Sequence, residues 1–329
     1  MKLFFRAASL CVMLFAGQAF CQVKPTVQLI GGDNFPALKI QIKTVLESVL
    51  LEANRQQKGT GNIEKVAGSF TPEAFHTYSD FVLKNKAYTA RKLYEPQIIQ
   101  KLSGDGFDVR SITMKVELGE TAASENQNLV FTFSKSGLIT SVRAVMPNYD
   151  YQGIIAQGVN SIDSTTREKI LEFIEQFRMA YNSKNIDFLE KVYSDDALII
   201  TGSIIKETRP GNEMMQKSFL TQEKVKMVEL TKREYLDALK NRAFKNSSYL
   251  NVNFENLVIL RHAKVPYIYG ITCLQHWNAA NYKDKGYLFL MMDFRDPEAP
   301  VIHVRTWQPK AFIEDESFIS LYDFDIVAY

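Results

Sequence analysis

The sequence has few of the residues that usually mark a catalytic or metal centre. Its 329 residues include 3 cysteines and 4 histidines, and the histidines form neither an i, i+4 pair nor a group with three nearby acids. A Gly-x-Ser-x-Gly nucleophile motif, a glycine-rich phosphate loop and a dinucleotide fingerprint are also lacking. We therefore expect no metal and no cofactor, and no motif dictates a reaction.

An excess of one charge and long apolar runs are lacking as well. Lys and Arg total 39 against 37 Asp and Glu, a net charge of +2, which gives no basic footprint for nucleic acid. No apolar run reaches the ~20 residues needed to span a bilayer. With 46% hydrophobic and 23% charged residues, the composition is typical of an ordinary globular protein.

The N-terminus has the pattern of an export signal. Lys2 and Arg6 come before the apolar run Ala7–Gly17, and Ala19-Phe20-Cys21 places small residues before the expected cleavage site. Cleavage of residues 1–21 predicts a bacterial periplasmic or secreted protein, and a lipoprotein acylated on Cys21 is the alternative. Removing 21 of the 329 residues leaves 308, a length that suggests two domains. Only Cys273 then remains, so no internal disulfide is expected, and we interpret this residue as a small buried hydrophobe.

Residues 163–312 show the clearest pattern of helices and strands. A domain boundary is predicted before them at Pro147–Ser164, where glycine and polar residues separate two patterned regions. The capping box Thr165–Glu168 predicts a helix start, and Thr208–Thr221 is predicted as a loop. The other predicted elements are a short helix at Ile186–Tyr193, a strand at Ala197–Thr201, a helix opened by the capping box Thr231–Glu234, and strands at Tyr249–Leu260, Tyr267–Trp277, Tyr287–Phe294 and Val301–Trp307.

The order of these elements, together with three short runs, resembles a known superfamily. The runs are Ala180–Asn185, Asp195-Asp196-Ala197 and the closing His303–Pro309. They are similar to the nuclear-transport-factor-2-like (NTF2-like) superfamily, which includes SnoaL-type polyketide cyclases and ketosteroid isomerases. The resemblance implies an α+β, cystatin-like fold over roughly residues 163–312, in which a curved antiparallel sheet wraps over helices as a cone. It also implies that such domains pair through their sheets, which predicts a homodimer or an interdomain contact of that kind.

The N-terminal part, residues 22–150, has a similar order of elements. Helices are predicted at Phe35–Leu51 and from Thr71, followed by strands at Phe107–Leu118, Asn128–Phe133 and Leu138–Val145. We interpret this part either as a degenerate copy of the second domain or as an unrelated α+β module. At the other end, residues 313–329 contain an apolar stretch that should dock on this chain or on a partner.

Strand alternation selects the candidate site residues. On three consecutive predicted strands, one set of alternating positions mixes aromatic and polar side chains, and we expect these positions to share one face of the sheet. The candidate ligand-binding residues are Tyr269, Gln275, Trp277, Tyr287, Arg305 and Trp307, and the weak catalytic candidates are Asp293 and His303.

Two interpretations of this mixed face stay open. In the first it lines a ligand cavity, where Asp293 is a base, His303 carries a proton and Arg305 fixes an anionic group. In the second it is the outer surface of the sheet, used for pairing, and Asp293 forms a cross-strand ion pair with Arg305. The resemblance implies that Asp, His and Tyr residues inside the cone transfer protons, but no family motif matches these positions residue by residue.

The function expected from the sequence is that of an exported, non-enzymatic binding or scaffolding protein of the bacterial cell envelope. One alternative is an isomerase, cyclase or dehydratase that acts on a hydrophobic small molecule, and another is a secreted carrier of a small ligand. The expected partners are a small hydrophobic or aromatic ligand, a second copy of the chain and a cell-envelope protein. Nucleic acid is not expected.

Overall fold

A computed structural model describes residues 24–117, 124–145, 155, 162–208, 221–280, 282–309 and 319–324, with backbone only at 204–208, 221–224 and 322. The predicted export signal and most of the predicted boundary Pro147–Ser164 lie outside these residues. So does most of the predicted loop Thr208–Thr221.

The N-terminal part contains two helices, the 3-10 helix Ile63–Ser69, a short parallel pair of strands at Thr26–Val27 and Leu93–Tyr94, and an antiparallel sheet, here the first sheet. Helix α1 spans Pro36–Gln57 and α2 spans Pro72–Lys84, where the Thr71 hydroxyl accepts a hydrogen bond from the Ala74 amide and caps the helix. The first sheet has the order β2-β5-β6-β7, and β4 also pairs with β5. The strands of this part are β1 (Thr26–Val27), β2 (Tyr88–Thr89), β3 (Leu93–Tyr94), β4 (Gln97–Gln100), β5 (Gly106–Glu117), β6 (Ser124–Ser134) and β7 (Ile139–Ala144). That this part is a degenerate copy of the second stays a prediction.

The C-terminal part contains a six-stranded sheet, here the second sheet. Its order is β10-β11-β12-β13-β8-β9, and every neighbouring pair is antiparallel except β13 and β8. The strands are β8 (Tyr193–Thr208), β9 (Thr221–Leu230), β10 (Leu250–Arg261), β11 (Ile268–Ala279), β12 (Tyr282–Asp293) and β13 (Val301–Pro309). The helices are α3 (Ser164–Asn182), α4 (Ile186–Val192) and α5 (Lys232–Ala238), which continues as the π-helical turn Leu239–Phe244.

The predicted α+β class, with a curved sheet over helices, is confirmed. Shifts of register within β10, β12 and β13 are typical of bulges, which bend a sheet. Strand β9 was not predicted from the sequence. It is an edge strand with a single partner, and its charged residues give it a polar pattern.

Two predicted helix starts have different outcomes. The capping box at Thr231 and Glu234 is confirmed, with both reciprocal hydrogen bonds present. The box predicted at Thr165 is wrong, because the carboxylate of Asp163 caps α3 by accepting from the Thr166 amide at 2.9 Å. Glu168 instead accepts from the Leu102 amide at 3.0 Å, and so links α3 to the N-terminal part.

Helix α3 lies between the two sheets and is largely buried, apart from its first turn and a half-buried stripe formed by Lys169, Glu172 and Gln176. Its apolar residues Ile170, Ile174, Phe177 and Tyr181 belong to the core under the second sheet, as the helical period predicts, whereas Met179 belongs to the core of the N-terminal part. In all, 13 of its 19 residues are buried, including polar ones. The first sheet therefore covers the polar side of the helix that would otherwise face solvent.

Buried charges join the first sheet to α3. Glu175 on α3 accepts from Arg110 on β5 at 2.5 Å and from Arg143 on β7 at 3.2 Å. Arg143 also donates to Asp108 on β5 at 2.6 Å. Two guanidinium groups and two carboxylates thus form a buried cluster in which the formal charges balance, as the burial of ions requires. We call these four residues the interface charge cluster.

The end of the chain packs on the face of the second sheet that points away from the helices, here its outer face. Leu321 is fully buried against Ile268 and Phe289, and the Phe324 ring stacks on Phe289 with a centroid separation of 5.6 Å. The Ile319 amide donates to Gln308 at 3.2 Å. Residues 319–324, which are the described part of the predicted docking tail, therefore contact their own chain.

Replacing Leu321 by alanine should lower the free energy of unfolding by about 2 kcal/mol, because it removes a fully buried side chain from the outer face. Urea denaturation measures this change. Val258→Ala is the matched control, since Val258 is 52% exposed on β10 and its truncation should cost less than about 0.5 kcal/mol. Equal effects of the two variants would show that the tail does not dock in solution.

Candidate ligand-binding site

A cavity of about 660 Å³ opens at one end of the second sheet, between α5 with its π-helical turn and the inner face of the sheet. The inner face is the side that packs against α3, α4 and α5. Rings of four aromatic residues and a buried arginine contribute to the wall. They are Tyr235, Trp277, Tyr282, Trp307 and Arg305. The volume lies within the range of small-molecule pockets in proteins.

Arg305 is the buried charge of this cavity. It lies on β13 opposite Leu290 and is only 4% exposed. Its guanidinium carbon lies 4.9 Å from the centre of the Tyr235 ring, a cation–π arrangement. Its Nη2 reaches the Gln275 Oε1 at 3.5 Å, the outer limit of a hydrogen bond. Its Nε and Nη1 are buried and have no hydrogen-bond partner in the part of the chain that the structure describes.

A chain of tyrosine hydroxyls runs behind Arg305. The hydroxyl of Tyr181 is 2.6 Å from that of Tyr235 and 3.2 Å from that of Tyr193. Burial raises the pKa of Tyr193 and of Tyr235 well above the usual value, so both phenols stay protonated at neutral pH. Burial acts to lower the pKa of Arg305, but the neighbouring tyrosines outweigh it and the net shift is upward. The site therefore holds a permanent positive charge beside neutral hydroxyls.

Both tryptophans of the chain line the cavity. Trp277 on β11 meets the Tyr181 ring edge to face with a centroid separation of 5.7 Å. Trp307 on β13 is buried, and its indole Nε1 has no hydrogen-bond partner among the described residues. Indole N–H groups usually find a partner when buried, so this one is an unsatisfied donor on a residue of the cavity wall.

The structure divides the predicted mixed face between the two sides of the sheet. Gln275, Trp277, Arg305 and Trp307 line the cavity on the inner face. Tyr269 is also on this side, but it packs in the core against Phe294 with a centroid separation of 5.6 Å. That any of them binds a ligand stays a prediction.

The prediction of one shared face is wrong for Tyr287, Asp293 and His303. The connection between β11 and β12 is a tight turn in which Ala279 pairs with Tyr282, whereas the sequence predicted a longer loop up to Gly286. This register places Tyr269 opposite Met292, so odd-numbered residues of β11 share a face with even-numbered residues of β12. Tyr287 and Asp293 therefore lie on the outer side.

Asp293 and His303 form an ion cluster on the outer face, away from the cavity. A carboxylate oxygen of Asp293 is 2.6 Å from Nη2 of Arg295 and 3.5 Å from Nε2 of His303. Burial acts to raise the pKa of Asp293, but Arg295 and His303 outweigh it and hold the pKa below its usual value. The predicted ion pair between Asp293 and Arg305 is wrong, because the two residues are on opposite faces. Asp293 is thus an ionised partner of Arg295.

Some cavity residues were not predicted from the sequence. Tyr235 was expected to face inward from α5, but its place over Arg305 depends on how the helix crosses the sheet. Tyr282 and Asp284 belong to a stretch that was predicted as a turn, and they extend β12 along the cavity instead. The carboxylate of Asp284 accepts from the Tyr282 hydroxyl and, at 2.7 Å, from the Lys285 amide.

Metal ligands and reactive thiols are the remaining candidate centres in the described part of the chain. Within it, no three His, Cys, Asp or Glu side chains are grouped as metal ligands. Cys273 is buried next to the cavity wall, and burial raises the pKa of its thiol, so a reactive thiolate is not favoured. None of the helices described is long and apolar enough to cross a membrane.

Comparisons with known proteins give structural neighbours. No protein-family model matches the sequence, and no curated protein matches it. An NTF2-like protein from Cytophaga hutchinsonii is 12% identical, and the match covers 44% of this chain and 97% of that one with a TM-score of 0.31. A naphthalene 1,2-dioxygenase with indole in its active site is 12% identical, with 50% of this chain and 88% of that chain covered and a TM-score of 0.33.

A third neighbour is the Bdellovibrio bacteriovorus protein Bd1075, at 15% identity and a TM-score of 0.32. The match covers 52% of this chain and 46% of the Bdellovibrio protein, so this chain spans less than half of that protein's length. The resemblance inferred from the sequence is confirmed in that the neighbours include NTF2-like proteins. At TM-scores near 0.3 the likeness carries no argument about a site or an activity.

Proposed function

We propose that this chain is an exported, non-enzymatic binding protein of the bacterial cell envelope, and that its second sheet holds a small, largely apolar or aromatic molecule. The observation that carries the proposal is the cavity of about 660 Å³, with rings of Tyr235, Trp277, Tyr282 and Trp307 in its wall. Planar rings offer a large apolar contact area to an aromatic ligand. Export rests on the pattern of residues 1–21.

The position of the acidic and basic groups favours binding over catalysis. The enzymatic alternative depended on Asp293 and His303, which lie on the outer face in an ion cluster with Arg295. Among the described residues of the cavity wall, Asp284 supplies the carboxylate, and it already accepts from Tyr282 and Lys285. A general base needs a free acceptor within reach of the substrate proton.

Fluorescence energy transfer from tryptophan to N-phenyl-1-naphthylamine, a neutral aromatic probe, tests the proposal. Both tryptophans line the cavity, so a probe bound there should quench their emission saturably, with one probe molecule per chain. Ala238→Phe places a ring in the cavity wall and should weaken binding about tenfold or more, a loss of roughly 1.4 kcal/mol.

Ala37→Phe is the matched control for this experiment. It makes the same change at an exposed position near the start of α1, so the probe should bind as it does to the unaltered protein. Absence of saturable binding, or equal binding by the Ala238→Phe protein, would contradict the proposal. Pairing through the sheet stays a separate prediction, since residues 319–324 cover part of the outer face.

A further inference from the structure

Arg305 differs from three other buried arginines in what its guanidinium contacts. Arg110 and Arg143 bind the carboxylates of the interface charge cluster. Arg178 donates to the carbonyl oxygens of Val145 at 2.7 Å and of Val252 at 2.6 Å. Arg305, by contrast, has one long contact to the neutral amide of Gln275. No carboxylate of the described residues forms an ion pair with it.

A buried cation without a counter-ion is costly, because the charge loses its hydration and gains nothing equivalent in return. The face of the Tyr235 ring offsets part of this cost. The neighbouring tyrosines favour the charged guanidinium, but they supply no counter-ion at neutral pH, since burial keeps Tyr193 and Tyr235 protonated. The positive charge in the wall of the cavity is therefore still available to an anion.

We propose, on the basis of the binding function above, that the cavity takes an aromatic carboxylate, whose carboxylate group binds Arg305. The guanidinium fork matches a planar carboxylate with two parallel hydrogen bonds. Trp307 lies two residues along β13 on the same face, and its unpartnered Nε1 is a second donor. Arg305 is the buried cation of the wall and suits a monoanion, whereas the second arginine of the lining, Arg242, is exposed and its charge is screened by water.

The pair 2-naphthoate and 2-naphthalenemethanol tests this inference, because the two share a ring system and differ in charge. We expect quenching of tryptophan fluorescence to give an affinity for 2-naphthoate about tenfold or more above that for the alcohol, as for one charge-assisted hydrogen bond. Arg305→Gln should abolish this difference, so that the altered protein binds the two compounds with similar affinities. Arg305→Lys keeps the charge without the fork and should retain part of the difference.

Arg233→Gln is the control, since it removes the same charge from an exposed position on α5 and should leave both affinities unchanged. If the alcohol binds as tightly as 2-naphthoate to the unaltered protein, the inference is overturned while the binding function stands. If neither compound nor the neutral naphthylamine probe binds, the binding function itself is overturned. The comparison on the unaltered protein decides the question even if the Arg305 variants do not fold.

Discussion

Replacing Glu175 by glutamine should lower the free energy of unfolding by about 3–5 kcal/mol, the usual cost of breaking a buried ion pair. Glu175 accepts hydrogen bonds from both Arg110 and Arg143. The substitution leaves these two guanidinium groups beside Asp108, while Glu172, 3.6 Å from Arg143, is shared with Lys101; a positive charge then stays buried between the first sheet and α3. Urea denaturation, followed by far-ultraviolet circular dichroism, measures the loss.

A second substitution in the same cluster tests whether the imbalance of charge causes the loss of stability in the Glu175→Gln protein. Arg110→Met combined with Glu175→Gln removes one charge of each sign and leaves the pair Arg143 and Asp108. We expect the double variant to be more stable than the Glu175→Gln protein, because the remaining charges balance. Glu298→Gln is the control, as Glu298 is 82% exposed in its pair with Lys169 and should contribute less than about 1 kcal/mol.

Two outcomes of these measurements would contradict the role given to the interface charge cluster. A loss limited to about 1 kcal/mol for Glu175→Gln would mean that water reaches the cluster. A double variant less stable than the single one would mean that the contacts, and not the balance of charge, hold the interface together. The first result would contradict the burial of the cluster between α3 and the first sheet, and the second would contradict the role given to charge balance.

Replacing Phe177 by alanine should also cost about 3–5 kcal/mol, because it empties the centre of the core under the second sheet. The Phe177 ring is fully buried and lies 5.0 Å from the Tyr181 ring, 6.1 Å from Tyr193 and 6.4 Å from Phe254, centre to centre. The rings that it supports include the tyrosines behind Arg305, so the variant should also bind the naphthylamine probe more weakly.

Leu83→Ala on α2 is the control for the Phe177 variant, since Leu83 is 50% exposed and its truncation should change stability by less than about 0.5 kcal/mol. Tryptophan fluorescence and circular dichroism should report one coincident transition for the unaltered protein, because α3 contributes to both cores. A cost for Phe177→Ala below about 1 kcal/mol would show that the core is not packed as described.

Local chemistry in the sequence predicted the elements of the C-terminal part well. These predictions used local patterns: the capping box at Thr231, the helical period of α3 and the alternation along the strands. Each pattern depends on residues a few positions apart, so it can be recognised without knowledge of the fold. The α+β class followed from their order. Strand β9 was not predicted because an edge strand tolerates charged residues, and these obscure the alternation of polar and apolar residues.

The side on which a strand's residues lie could not be predicted from alternation alone. Alternation separates two sets of residues on each strand, but the turn decides which set joins which set on the next strand. The turn between Ala279 and Tyr282 is shorter than the predicted loop. The sequence-based prediction therefore placed Asp293 on the wrong face of the sheet. On β13, the register shifts between Ile302 and Val304. Strict alternation along this strand therefore also fails to predict the face on which His303 lies.

The cavity itself depends on tertiary packing that leaves no local signal. Tyr235 comes to lie over Arg305 because α5 crosses the end of the sheet. The burial of polar residues on α3 likewise depends on the first sheet, which comes from a distant part of the chain. The sequence thus predicted four residues of the cavity wall and the helix α5 itself, but not that this helix closes the cavity.

The central claim is that a small aromatic molecule binds between Trp277, Trp307 and Arg305, and fluorine nuclear magnetic resonance tests it most directly. Incorporation of 5-fluorotryptophan gives two signals, since the chain has two tryptophans, and Trp277→Phe assigns them. We predict that titration with 2-naphthoate shifts both signals saturably with one common affinity. Signals that stay in place while the compound binds elsewhere on the chain would contradict the claim.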